Sequence, residues 1–110
     1  MIHHHLIYPS EASMIKIFGH NYRYIHERNL ARDRCAKGQS CGNSCEIIHD
    51  KSLPETSQEE TLIHEIIEQI NYNLELSLEH PKITCLGTSI HQVIKDNPHI
   101  FTMRLPDEDE

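Results

Sequence analysis

Short apolar runs separated by turn residues characterise the chain between residues 14 and 50. Two runs rich in Ile and Tyr occupy residues 14–18 and 22–27, and Gly19-His20-Asn21 lies between them. This pattern predicts two antiparallel strands joined by a turn. A third run covers residues 45–49 and follows a glycine-containing stretch over 37–44. The three runs predict a small antiparallel three-stranded sheet.

Residues beyond Leu53-Pro54 follow a helical period instead. Ser57 and Glu60 have the spacing of a capping box, so a helix is predicted to begin at Ser57 and to run to about residue 76. A second helix is predicted from Pro81 to about Asn97, because proline suits the first helical position. The apolar stripes of the two helices are Leu62, Ile63, Ile66, Ile67, Ile70 and Leu74, and Ile83, Leu86, Ile90, Val93 and Ile94. The predicted fold class is α+β, a three-stranded antiparallel sheet packed on two helices.

The 110 residues are enough for one small core and not for two. A single domain is predicted over residues 14–106, with a short extended segment at 100–105. Residues 1–13, which contain His3-His4-His5, show no sustained period and are predicted to be a leader or a loose arm. Residues 107–110 are all acidic and are predicted to be a solvated tail.

Acidic side chains outnumber basic ones by 17 to 10, which gives a formal net charge of −7. This balance disfavours a surface that follows a phosphate backbone, so nucleic acid is not expected as a partner. The sequence contains neither an apolar stretch long enough for a membrane span nor a secretion signal at its start. A cytoplasmic, reducing setting without membrane association is therefore expected.

The first predicted helix contains the segment Thr-Leu-Ile-His-Glu-Ile-Ile-Glu at residues 61–68. His64 and Glu68 are four residues apart, so on a helix they share a face at about 6 Å between Cβ atoms, a spacing that suits two ligands of one metal ion. Glu65 lies about 100° round the helix from His64, where a general base can contact metal-activated water. The predicted third ligand is His80, with His91 as the alternative. Two imidazoles and one carboxylate are a ligand set of catalytic Zn²⁺ sites.

The segment at residues 61–67, the Gln-Val-Ile-Lys-Asp-Asn segment at 92–97 and the strand order resemble the minimal zincins. These are the small phage-type and bacterial relatives of the zincin metallopeptidases. The resemblance covers residues 15–97 and implies a zincin-like fold in which the sheet edge holds an extended peptide above the zinc helix. It also implies His64 as a ligand and Glu65 as the base. Glu68 stands where the familiar HExxH motif has its second histidine.

Two functional hypotheses follow. The first is a zinc-dependent hydrolase, expected to be a peptidase, whose substrate is a peptide or protein in extended form. The alternative is a non-catalytic metal-binding or partner-binding module that keeps the zincin-like fold and recruits a partner strand at its sheet edge. Tyr72, two turns beyond His64, is either a contact for a substrate oxyanion or a tyrosine whose hydroxyl is satisfied within the protein.

Cys35, Cys41 and Cys45 form a separate cluster along the sequence. With His20 or His49 they are the residues for a second, structural zinc ion, but intervals of five and three residues fit no standard zinc finger. Reduced thiols are the favoured interpretation.

Overall fold

A computed structural model of the chain describes residues 13–107. The predicted leader and acidic tail therefore lie outside the described residues, apart from Ser13 and Asp107. The elements are, in chain order, β1 (Met14–Ile17), β2 (His20–Glu27), α1 (Leu30–Arg34), β3 (Gly38–Cys41), β4 (Glu46–Asp50), α2 (Glu55–Leu74) and α3 (His80–Asp96). The predicted α+β class is confirmed.

The sheet has four strands in the order β1-β2-β4-β3. β1 and β2 form the predicted antiparallel hairpin, in which Phe18 and Gly19 have φ values of 50° and 81°. Positive φ at both central residues is the property of the tight turns that match the twist of a hairpin. β2 pairs with β4 in parallel, and β3 pairs with β4 antiparallel. The prediction of three antiparallel strands is therefore wrong in both number and direction.

The missed strand is β3, at one edge of the sheet. Its sequence, Gly-Gln-Ser-Cys, has no alternating apolar pattern, and it forms a strand because its backbone pairs with β4. The parallel pairing of β2 with β4 requires a crossover, which α1 and β3 supply. Asp50 holds α1 in place by accepting hydrogen bonds from the backbone N–H groups of Asn29 at 3.1 Å and Ala31 at 2.7 Å. A hydrogen bond from Ser52, helped by those N–H groups, lowers the pKa of Asp50 to about 2.

The fold has three layers, with α2 between the sheet and α3. One hydrophobic cluster joins the sheet to α2 and contains Ile17, Tyr22, Tyr24, Ile47 and Leu62. A second cluster joins α2 to α3 and contains Ile63, Ile67 and Ile83. This two-sided burial explains why the apolar stripe of α2 is broad, because neighbouring positions along it face different layers.

The helix ends differ in how well the sequence predicts them. α2 begins at Glu55 after Pro54, whose carbonyl accepts the Gln58 N–H at 3.0 Å. Ser57 therefore lies inside the first turn, and the predicted capping box is wrong. α3 begins at His80 with Pro81 in its first turn and ends at Asp96, close to the prediction. Residues 100–105 have no regular structure, although Met103 and Leu105 contact the core.

Among residues 13–107, no helix combines the length and apolar character that crossing a membrane requires.

Candidate metal centre

His64, Glu68 and His80 converge on one point between α2 and α3. His64 Nε2 lies 3.3 Å from Glu68 Oε2, and His80 Nδ1 lies 3.4 Å from the same oxygen. The two imidazole rings are 5.0 Å apart between centroids and inclined at 62°. One ligand atom from each side chain lies within 4.8 Å of the others, so this group could hold a metal ion. The structure thus brings together the three predicted ligands.

Local helix geometry and one glycine position this group. His64 and Glu68 are one turn apart on α2, so their proximity follows from the helical repeat. His80 is the first residue of α3, and it reaches α2 because the two helices pack closely at Gly87. A Cβ atom at Gly87 would lie 3.4 Å from His64 Cα, in van der Waals contact, so the interface has room for alanine there and none for a bulkier side chain that points at His64.

Glu65 is buried beside the three ligands, with 7% of its surface exposed. It lines a cavity of about 780 Å³ together with His64, Glu68 and His80. Burial raises the pKa of Glu65, and this effect outweighs the opposing hydrogen bond from Ser40 and the charge of His64. A carboxyl group with a raised pKa, in a cavity next to side chains that could hold a metal ion, has the properties expected of a general base.

The edge strand β3 forms the opposite wall of the cavity. A Cβ atom at Gly38 would lie 2.5 Å from Thr61 Cγ2 and 3.4 Å from Glu65 Cγ, so only glycine permits this approach of strand to helix. At the other end of β3, the Tyr72 ring lies against Gly42, and its hydroxyl donates to Asn43 Oδ1 at 2.8 Å. The Tyr72 hydroxyl is therefore hydrogen-bonded within the protein, one of the two interpretations expected for it.

A chain of polar side chains behind the cavity was not predicted. Gln69 Nε2 donates to Ser40 Oγ at 2.8 Å, and the Tyr22 hydroxyl donates to Gln69 Oε1 at 2.9 Å. Asn73 Nδ2 donates to the Tyr22 hydroxyl at 3.1 Å. The sequence contains one signal for this chain of side chains, a polar stripe in which Thr61, Glu65 and Gln69 recur at intervals of four. The structure shows that all three are buried on α2.

His91, the alternative third ligand, belongs to a different group. Its Nε2 lies 3.0 Å from Glu59 Oε1, and Lys95 Nζ lies 3.2 Å from the same oxygen. Burial opposes ionisation of Glu59, but hydrogen bonds and charge from His91 and Lys95 prevail and lower its pKa. The structure therefore does not bring His91 to the candidate metal centre.

The four cysteines are free thiols. Among residues 13–107, the only cluster of His, Cys, Asp and Glu side chains with metal-binding proximity is the one at His64. The second zinc site considered for Cys35, Cys41 and Cys45 is thus not formed. His49 is instead buried, with its ring nitrogens hydrogen-bonded to Tyr24 and, at 3.2 Å, to His26.

Comparison of the chain with protein-family models, curated proteins and solved structures gives no match. The resemblance to the minimal zincins stays a prediction that rests on the residues themselves.

Proposed function

We propose that the protein is a zinc-dependent hydrolase that cleaves peptide bonds in extended segments of polypeptide. The observation that carries the proposal is the convergence of His64, Glu68 and His80 beside the buried Glu65 in one cavity. This arrangement combines a metal-binding ligand set with a separate carboxylate that is free to accept a proton.

The distances within the group suit zinc. Four ligands at about 2.1 Å in a tetrahedron are separated from one another by about 3.4 Å. The two measured separations from Glu68 Oε2, 3.3 Å and 3.4 Å, match this value. The His80 side chain is 70% exposed, so its ring can adjust at little cost to close the remaining side. Three protein ligands leave a coordination position for water or substrate.

Glu65 supports hydrolysis rather than metal storage. It is the neighbour of a ligand in sequence, but its carboxylate is not part of the metal-binding group. Burial raises the pKa of Glu65, the direction that makes a carboxylate a better proton acceptor. A zinc ion bound here would polarise a carbonyl and acidify water, and Glu65 would take the proton that the water loses.

The position of β3 supports a peptide as the substrate. β3 is an edge strand, so one side of its backbone is available to pair with an added strand. The same strand lines the cavity with the ligands and Glu65. A peptide that pairs with β3 would pass along the cavity in extended form. Such pairing selects unfolded or loop segments, because a folded substrate has its backbone groups already bonded.

Metal analysis tests the first half of the proposal. His3, His4 and His5 offer imidazoles of their own, so all variants are made in a background with these three changed to alanine. We expect about one zinc per chain by elemental analysis, with iron measured in parallel because two His and one carboxylate also suit Fe(II). The His64→Ala variant should lose the metal. A wild-type chain without stoichiometric zinc, or an unchanged content in His64→Ala, would overturn the proposal.

Cleavage of an unfolded protein substrate tests the second half. Glu65→Gln preserves shape and removes the base, so we expect it to retain zinc and to lose at least about 100-fold in kcat. Cleavage that is unaffected by Glu65→Gln would exclude Glu65 as the base. Zinc binding without cleavage in the wild type would favour the alternative, a binding module that recruits a strand at β3.

A further inference from the structure

We infer that Asn73, Tyr22, Gln69 and Ser40 form a directional hydrogen-bond chain that points the Ser40 hydroxyl proton at Glu65 and so orients this carboxylate. Ser40 and Gln69 are then positioning residues for the general base. The inference deepens the proposed function and rests on it for the role of Glu65. The direction of the hydrogen-bond chain itself follows from its donors and acceptors alone.

The direction of the chain is set at its far end. Asn73 Nδ2 lies 2.7 Å from the backbone carbonyl oxygen of Gln69, which can only accept, so this atom must be the amide nitrogen. Its second hydrogen points to the Tyr22 hydroxyl at 3.1 Å. The Tyr22 oxygen therefore accepts from Asn73, and its own proton is free to be donated onward.

Each following link has one polarity as a result. The Tyr22 hydroxyl donates to Gln69 Oε1 at 2.9 Å, which turns the Gln69 amide so that Nε2 faces Ser40 Oγ at 2.8 Å. Ser40 Oγ accepts this hydrogen, and its single proton is left for another acceptor. With the opposite amide orientation, Ser40 would donate to Gln69 instead and would have no proton for Glu65.

The packing of β3 on α2 brings Ser40 and Glu65 to the lining of one cavity, so Glu65 is the acceptor that we infer for the Ser40 proton. Positions 38 and 40 of β3 face the same side of the sheet, because successive residues of a strand face opposite sides. On α2, Glu65 and Gln69 are one turn apart and both are buried. Gly38 lies against Glu65, Ser40 lies against Gln69, and both Ser40 and Glu65 line the same cavity. The pKa of Glu65 agrees with this contact, because burial raises it and a hydrogen bond from Ser40 acts to lower it.

Burial gives the chain its rigidity. Tyr22 is 1% exposed and Gln69 is 4% exposed, so water does not compete for these bonds. An unpaired polar atom at such a depth would be costly, which keeps every link occupied. If Ser40 donates to one Glu65 oxygen, the other Glu65 oxygen is left to face the cavity, where the attacking water would lie.

Serine-to-alanine and serine-to-threonine variants at residue 40 test the inference. Ser40→Ala removes the donor, and Ser40→Thr keeps a hydroxyl in a strand that accepts β-branched residues. We expect Ser40→Ala to lower kcat about ten-fold with KM and zinc affinity within about two-fold of wild type. Ser40→Thr should restore kcat. Ser44→Ala, in the turn after β3, removes a serine hydroxyl that faces Glu46 and serves as the matched control.

A readout without metal or substrate separates this inference from the proposed function. The carboxyl ¹³C chemical shift of Glu65, measured by NMR on the metal-free protein at one pH, reports directly on hydrogen bonding to this group. We expect it to move in Ser40→Ala and in Gln69→Met, which has a similar volume but no amide. It should return in Ser40→Thr and stay at the wild-type value in Ser44→Ala.

The outcomes are distinct. A Glu65 shift that does not move in Ser40→Ala, or that Ser40→Thr fails to restore, overturns the inference even if the protein binds zinc and cleaves peptides. A protein that neither binds zinc nor cleaves overturns the proposed function, while the NMR series still decides whether the chain reaches Glu65.

Discussion

Two glutamates of α2 face α3, and their surroundings make them chemically different. Glu68 lies between His64 and His80 near the start of α3, whereas Glu59 lies between His91 and Lys95 near its end. The Glu68 side chain is 30% exposed and borders the cavity, while the Glu59 side chain is 4% exposed. Each carboxylate thus has two basic neighbours, but of the two carboxylates only Glu68 is partly exposed and lines the cavity.

The interface between α2 and α3 thus contains both the candidate metal centre at Glu68 and a structural ion pair at Glu59. A lysine ammonium has no lone pair to donate to a metal, and Lys95 contacts the Glu59 carboxylate as an ion pair. The neutral imidazoles of His64 and His80 each offer a lone pair, and Glu68 adds a negative charge that a divalent cation can neutralise. A second histidine in place of a lysine, together with the open cavity, therefore distinguishes the candidate metal centre from the structural ion pair.

The largest effect is expected on metal affinity. Glu68→Ala should weaken zinc binding by at least about 100-fold, or about 3 kcal/mol, because it removes the charged ligand. His91→Gln should leave affinity within about three-fold, since His91 contacts Glu59 instead. Competition with a chromophoric chelator, in the background without His3 to His5, measures both. Equal losses in the two variants would mean that His91 belongs to the metal-binding group after all.

The second effect is on stability, and here the change at Glu59 should matter more than the change at Glu68. Glu59→Gln removes the charge of a carboxylate that is 4% exposed and contacts both His91 and Lys95, while the Lys95 side chain is 39% exposed and can turn to water. We therefore expect a loss of about 1.5 kcal/mol in the free energy of unfolding. Glu68→Gln in metal-free protein should cost less than about 1 kcal/mol, because its partly exposed contacts are screened by water. Urea unfolding at pH 7 with a chelator present compares the two. A larger loss for Glu68→Gln would contradict the distinction drawn between them.

The smallest expected effect is the pH dependence of the stability that Glu59 contributes. Contacts with His91 and Lys95 lower the pKa of Glu59 below its ordinary value of 4.5. A lowered folded-state pKa means that this contribution to stability is present above pH 4.5 and is lost as the pH falls through the folded-state value. The stability difference between wild type and Glu59→Gln should therefore shrink on acidification from pH 7 to about 3.5. A difference that grows over this range would show that the ionised carboxylate does not carry the contribution.

Much of the candidate site could be predicted because it depends on local geometry. The i, i+4 spacing of His64 and Glu68 and the adjacent Glu65 are properties of any helix at these residues. His80 was predicted from its position before Pro81, and α3 begins at His80, one residue before the predicted start. The choice between His80 and His91 could not be made from the sequence, because both follow α2 and only the pairing of Glu59 with His91 excludes the latter.

The chain by itself determined the α+β class, the β1–β2 hairpin, the two long helices and the placing of His64, Glu65 and Glu68 on one helix. These features depend on period and on turn chemistry, which neighbouring residues set. Only the tertiary structure decided the parallel pairing of β2 with β4, the edge strand β3 and the hydrogen-bond chain from Asn73 to Ser40. These features depend on contacts between residues distant in sequence, so backbone pairing and burial select them. The local pattern of Gly-Gln-Ser-Cys, for example, does not reveal that β3 is a strand.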